Sequence, residues 1–319
     1  MKKAFDINDE KIIKMREVIS RTDVEESILF KTYLEELIEQ KTGKKETINK
    51  IASNCGLNYN NFDRYPIKNH KYPAKICKTY HFTLNEAINL YSRCGLCLSY
   101  TYPDDEDYLN SVITDRNSLP QDVNAESKVD CLLRLVKDHD YSDNKEADDT
   151  GFRKKMRDIQ GKLALSDTES NKKQIFVEII DLLKEEMNRY SWIMTSGDDC
   201  LDKESLRYTV FEISFAGHFN RKETIELYKS CGFSLAPDYI KFDAFVSWLL
   251  DLELTNTEYE LYYLYKTVAS DMEQVKEGAF HYCSPTPERL DALLNEAAYY
   301  EDEDVVDLVY GNERDDNSR

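Results

Sequence analysis

The sequence predicts an all-α fold of two helical modules, the first with a helix-turn-helix. Three observations carry that expectation. Residues 82–99 recur at 219–236, an offset of 137, with Phe82, Glu86, Ile88, Leu90, Tyr91, Cys94, Gly95 and Leu98 repeated in place. Apolar residues elsewhere return at i, i+3, i+4 and i+7, the spacing of one helix face. Ten glycines and seven prolines among 319 residues are too few for a strand-and-turn architecture or a long linker. The modules are placed at 1–118 and 119–319, the second ending in an acidic tail.

Each copy of the repeat reads as one complete short helix. Thr83 and Asn220 are N-cap residues, and Glu86 and Glu223 follow three positions later, as in a capping box. Leu84, Ala87, Ile88 and Tyr91 make one apolar face. Gly95 and Gly232 stand at the left-handed position past the helix end. Leu96 and Phe233 follow where an apolar contact closes the last turn.

The other elements follow in order. Residues 8–20 carry Ile12, Ile13, Met15 and Ile19, a short amphipathic helix. Asp23 caps a second helix to about Gln40, with Ile28, Leu29, Tyr33, Leu34 and Leu37 inward. Residues 101–126, with Pro103 and the acidic run 104–107, read as a junction with a solvated surface. Helices are expected at 126–137, 153–163, 171–190, 206–216, 239–252, 257–269 and from 285 or 286 to 300. The polar segment 139–151 reads as a loop, and 312–319 as disordered.

Residues 48–62 have the pattern of a helix-turn-helix of the Cro/repressor type. Ala52 is the small residue that lets two helices cross closely, Gly56 takes the turn four residues later, and Ile48, Ile51, Cys55, Leu57 and Phe62 supply a shared core. The second helix is expected from about Asn58 to Tyr65, ahead of Pro66. Its outward residues are Asn58, Tyr59, Asn60, Asn61 and Arg64. Asn suits adenine edges and Arg suits guanine edges. Lys44, Lys45, Lys68, Lys71 and Lys75 are candidate phosphate contacts.

The order of parts resembles uncharacterised repressor-like proteins of Gram-positive bacteria. The resemblance rests on Tyr33-Leu34-Glu35-Glu36-Leu37-Ile38, the helix-turn-helix of 48–65, and the helix Glu86 to Ser99 with its glycine stop. In the second half it rests on Glu223 to Leu235 and the strip Phe242-Asp243-Ala244-Phe245-Val246. It covers roughly residues 29–100 and 202–265. The resemblance implies an all-α cytoplasmic protein and, weakly, DNA binding.

Charge narrows the function classes. A net charge of −19 speaks against a broad nucleic-acid binder, because phosphate neutralisation dominates such affinity. Residues 41–80 nevertheless hold nine Lys or Arg against Glu46 and Asp63. That local basic window is the place for duplex DNA, while acidic surface elsewhere suits a basic protein partner. No run of 18 apolar residues occurs, so no membrane span is expected. The N-terminus turns acidic before any apolar core, which predicts no signal peptide and a cytoplasmic protein with eight reduced cysteines.

Catalytic and metal-binding motifs are not expected. Cys77-x3-His81-x12-Cys94-x2-Cys97 has zinc-like spacing, but of its three cysteines the repeat keeps only that at 231: His218 matches His81, while Ser214 and Ser234 stand at the other two cysteine positions. The cysteine at the helix end therefore reads as packing, and no metal or cofactor is expected. No phosphate loop, nucleophile elbow or His-Glu-x-x-His is present. His139-Asp140 lies in a polar stretch without a pocket to tune it. Tyr259, Tyr262, Tyr263 and Tyr265 read mostly as core or inter-helix edge, with the remainder suited to a protein interface.

Two functions of different class follow. The first is a DNA-binding transcriptional regulator whose second module binds a partner or forms a homodimer. The second is a protein-interaction factor on a repressor-like scaffold, in phage defence or counter-defence, that engages a basic nucleic-acid-binding protein.

Overall fold

The computed structural model describes residues 10–113, 123–142, 151–189 and 207–251, except 22, 64, 68, 124, 125, 166 and 167. The helices expected at 257–269 and 285–300, the tyrosine cluster 259–265 and the tail 312–319 lie outside them. Among the described residues the chain is helical, as expected. No described helix is long and apolar enough to cross a membrane.

Two hydrophobic cores organise these helices. The first core joins α2 (Asp23–Thr42), α3 (Ile48–Asn54), a 3-10 turn (Tyr59–Asp63), α4 (Lys71–Thr79), α5 (Leu84–Arg93) and α6 (Pro103–Val112). The second joins α7 (Lys128–Asp138), α8 (Phe152–Ala164), α9 (Glu169–Arg189), α10 (Arg207–Ala216), α11 (Arg221–Ser230) and α12 (Lys241–Asp251). Helix α1 (Glu10–Ile19) precedes the helices of the first core in sequence but packs against α12, and its Met15, Val18 and Ile19 are buried in the second core.

Several local expectations change. In α2 the buried face is Phe30, Leu34 and Ile38, while Ile28 and Leu29 are exposed. Two faces of this helix carry apolar residues, and packing against α3 selects one of them. Helices α4 and α6 stand where no helix is expected from the sequence. Pro103 at the start of α6 is a helix opener, followed by an acidic first turn that suits the positive helix end. Asp105, Tyr108 and Leu109 of α6 are buried, so the acidic run 104–107 is not wholly solvated surface.

The repeat is confirmed in its local chemistry. Both capping boxes form, with Thr83 and Asn220 accepting from the amides of Glu86 and Glu223 and the two carboxylates answering the cap amides. Gly95 and Gly232 adopt φ of +72° and +81°. Leu96 N–H donates to Tyr91 O at 2.8 Å and Phe233 N–H to Tyr228 O at 2.9 Å, which closes each helix in a Schellman motif. The equivalence also reaches upstream of the repeated residues. His81 and His218, 137 apart, both have positive φ, and α4 and α10 precede them in the same register.

The two glycine stops meet. Leu96 and Phe233 form an antiparallel bridge. Cys97 N–H donates to Gly232 O at 2.8 Å, and Ser234 N–H donates to Gly95 O at 3.0 Å. Each bond is the other shifted by 137 residues, so the modules join about a local pseudo-two-fold. Leu96 belongs to the first core, and Phe233 packs against both. What reads in the sequence as a helix stop is in the fold the seam between modules.

Candidate functional site

The basic turn is built on α3. Ile51 and Ala52 are buried under α2, and Ala52 lets the chain return closely. Gly56 takes φ +62°, and Leu57 N–H donates to Ala52 O at 2.9 Å, so the turn forms where expected. The second helix differs from its expectation over 58–65. It is a five-residue 3-10 turn, Tyr59–Asp63, anchored by buried Phe62. Its residues are the reason: Asn58 Oδ1 accepts from Asn60 N–H at 3.0 Å, a local side-chain bond that competes with helix formation.

The expected contact residues separate into groups. Asn58, Tyr59 and Asn60 are exposed, and Asn61 is half-buried. Lys71 is exposed at the start of α4 and Lys75 is half-buried on it. Arg64 and Lys68 lie outside the described residues. The basic window is partly neutralised. Lys41 pairs with Glu86 at 2.7 Å and Lys78 with Asp107 at 2.5 Å, while Lys31 of α2 takes up Asp63, an acid of the window. Lys44, Lys45, Lys50 and Lys71 are exposed and carry no ion pair among the described residues.

A second constellation lies at the seam, and sequence reasoning missed it. Asp105 is fully buried and accepts from Tyr91 Oη at 2.5 Å and Ser99 N–H at 3.1 Å, and His70 Nδ1 lies 2.7 Å from its Oδ2. Its counterpart Asp243, in the Phe242–Val246 strip, accepts from Ala236 N–H at 2.7 Å and from Arg207 at 2.5 Å. His70 and Arg207 are 137 apart, as are Ser99 and Ala236. Both side chains then cross the seam. His70 Nε2 lies 3.1 Å from Gly232 O, and Arg207 Nη2 donates to Gly95 O. Tyr102 stacks on His70 with centroids 3.7 Å apart and donates to Cys231 O. Arg93 packs between Tyr33 and Tyr239, 4.4 Å and 3.8 Å from their rings.

Burial sets the electrostatics of these groups. Complete burial pushes the Asp243 carboxyl up, with the Arg207 guanidinium pulling the other way. Tyr91 is raised well above its usual range by burial first and the Asp105 charge second. Tyr228, at the position equivalent to Tyr91, is raised by burial as well, yet its hydroxyl and Asp243 Oδ1 have no hydrogen-bond partner among the described residues. The signal in the sequence was the helical spacing of Asp105, Tyr108 and Leu109, which puts the carboxylate on the inward face.

A similar pairing holds each capping box. Lys41 bonds Glu86 in the first module, and His139 Nδ1 lies 2.9 Å from Glu223 in the second. His139 is therefore part of a packed cap rather than of an open loop. The described cysteines, Cys55, Cys77, Cys94, Cys97, Cys131 and Cys231, are all free and buried. Burial raises Cys94 and Cys77, the behaviour of core thiols rather than reactive ones. Among the described residues no group of three or more His, Cys, Asp or Glu side chains converges on a metal site.

The seam thus works as a structural joint with little solvent access, and the basic window leaves Lys44, Lys45, Lys50 and Lys71 exposed. No protein-family model matches this chain, and no similar curated protein or solved structure was found for it.

Proposed function

We propose that the protein is a non-enzymatic DNA-binding regulator on a repressor-like helix-turn-helix scaffold. It contacts duplex DNA through the basic turn of the first module. The observation that carries this reading is the set of exposed, unpaired Lys44, Lys45, Lys50 and Lys71 in a chain of net charge −19. Four cations without an ion pair among the described residues, within a 28-residue window of an acidic protein, favour a polyanionic ligand. A five-residue 3-10 turn rises only about 2 Å per residue. It therefore offers few base contacts, through Asn58, Tyr59 and Asn60, and most of the affinity falls to phosphates. The chain is placed in the cytoplasm on this reading.

The test is duplex retention as a function of salt, with wild type and the Lys71→Gln/Lys75→Gln variant. Each lost phosphate contact is expected to lower the slope of log affinity against log salt by about 0.9. An unchanged slope in the double variant removes these lysines from the interface. Absence of salt-dependent binding in the wild type removes DNA binding itself.

The shortness of that turn favours a second reading. A segment too short to fill a major groove suits a scaffold that has turned to protein contacts, with its acidic surface engaging a basic nucleic-acid-binding protein. Isolation of one stoichiometric protein partner, without DNA retention, selects this reading.

A further inference from the structure

The lysines without an ion pair among the described residues sit on three elements, and one small hydrogen-bonded group joins those elements. Glu46 lies in the α2–α3 loop, Asn54 ends α3, and Tyr80 follows α4. Glu46 Oε2 accepts from Asn54 Nδ2 and from Tyr80 Oη, each at 2.8 Å. Asn54 Nδ2 also donates to Tyr80 Oη at 3.1 Å, which closes a triangle. Lys44 and Lys45 precede Glu46 in the loop. Lys50 stands one turn before Asn54 on the same side of α3, and Lys71 and Lys75 run one turn apart along α4 toward Thr79 and Tyr80. Lys75 faces this corner. The Cys55 thiol past the end of α3 is raised by burial, bonded by the Thr79 side chain, and reached by the charges of Glu46 and Lys75.

The loop between α2 and α3 is anchored at both ends. Gly43 closes α2 at φ +69°, Lys44 N–H donates to Thr42 Oγ1 at 3.2 Å, and Ile48 N–H donates to Glu35 Oε1 at 2.7 Å. Glu46 ties the middle of the loop to α3 and to the end of α4. Its place is unfavourable for charge. Glu46 and Asp63 are the two acids of residues 41–80, and Asp63 is taken up by Lys31. Both donors to Glu46 are neutral. A carboxylate beside a phosphate-binding face repels the ligand, so Coulomb's law alone counts against it and only its bonds can help the site.

We propose, on the duplex-binding reading, that Glu46 is a positioning residue for the lysines that hold phosphate. Through Asn54 and Tyr80 it fixes the Lys44–Lys45 loop against Lys50 of α3 and the Lys71–Lys75 edge of α4. The cations then meet a duplex already ordered, and the entropy of ordering the loop is lost on folding rather than on binding. The two effects of Glu46 have opposite signs. Its charge weakens duplex binding and its bonds strengthen it. Substitution separates them, because both donors reach the same oxygen, Oε2. Glu46→Gln keeps an oxygen there and removes the charge, whereas Glu46→Ala removes both.

The experiment is duplex retention at fixed salt for the full chain and its variants, with amide nitrogen relaxation of Lys44 and Lys45 in the free protein. Glu46→Gln is expected to bind at least as tightly as wild type. Glu46→Ala, of the same charge, is expected to bind roughly tenfold more weakly than Glu46→Gln, with the order parameters of Lys44 and Lys45 falling from about 0.85 to below about 0.6. Equal affinity of the two Glu46 variants, or a loop that stays ordered in Glu46→Ala, overturns the proposal, and so does Glu46→Gln binding more weakly than wild type. Tyr80→Phe deletes one donor without changing the charge and is expected to weaken retention as well. Wild-type affinity in that variant also overturns the proposal, and it decides alone if Glu46→Ala fails to fold. A wild-type chain without salt-dependent retention removes the duplex reading and this role together. Equal Glu46 variants in a chain that does bind duplex remove this role alone.

Discussion

The equivalent tyrosines Tyr91 and Tyr228 predict opposite responses to the same small change. Tyr91 donates from a buried site to Asp105 Oδ1 at 2.5 Å. Replacing it by Phe removes a bond to a buried carboxylate and leaves that oxygen short of a donor, at a cost of about 1.5–3 kcal/mol. Tyr228 is as deeply buried, but its hydroxyl has no partner among the described residues. Tyr228→Phe removes an unpaired polar group and is expected to be neutral or stabilising by up to about 1 kcal/mol. Urea unfolding of the two variants beside wild type, at constant m, separates the outcomes. In thermal unfolding the Tyr91 variant is expected to melt roughly 3–12 °C lower. The reasoning is refuted if Tyr228→Phe costs as much as Tyr91→Phe, because a hidden bond at Tyr228 would then exist.

Further predictions concern the turns and caps. Gly56→Ala places a side chain at φ +62° in open space and is expected to cost about 1–2 kcal/mol by chemical denaturation. Gly95→Ala and Gly232→Ala are expected to cost more, since the new methyl meets Arg207 and Ile240 in one case and Tyr102 and His70 in the other. Thr83→Ala and Asn220→Ala each remove a cap acceptor and are expected to lose about 1 kcal/mol in the same assay. Glu86 is held below its ordinary 4.5 by Lys41 first and the Thr83 amide next. A depressed carboxyl stabilises the fold above its unfolded value and loses that contribution as pH falls through the folded one. Glu86→Gln should therefore flatten the acid limb of a stability–pH curve below 4.5, and an unaltered limb would contradict the pairing.

The helices of the repeat were legible because their causes are local. A cap residue, a glutamate three positions on, an apolar stripe and a glycine all act within one or two turns. Helices α7 to α12 were found to within a few residues on the same grounds. Helix α4 was missed although its buried face, with Tyr72, Ile76 and Cys77, is apolar, and α6 because its opening proline and acids were read as a break. The segment after Gly56 satisfied the pattern of a helix-turn-helix, yet Asn58 bonds its own turn and leaves a 3-10 segment. The expected contact residues were therefore found exposed at Asn58, Tyr59, Asn60 and Lys71, but on a shorter element than the one foreseen.

By itself the sequence determined the class of the fold, the two related helical units and the position of each glycine stop. These depend on spacing along the chain. Only the tertiary structure decided that the two stops pair with each other, that α1 joins the core of the distant module, and that Asp105 and Asp243 lie inside while Asp104 and Asp107 stay in water. The sequence does hold the 137-residue offset between His70 and Arg207, but nothing local marks two different side chains as equivalents. Their likeness lies in what they touch across the seam, and burial of a carboxylate is tolerable only where that partner arrives.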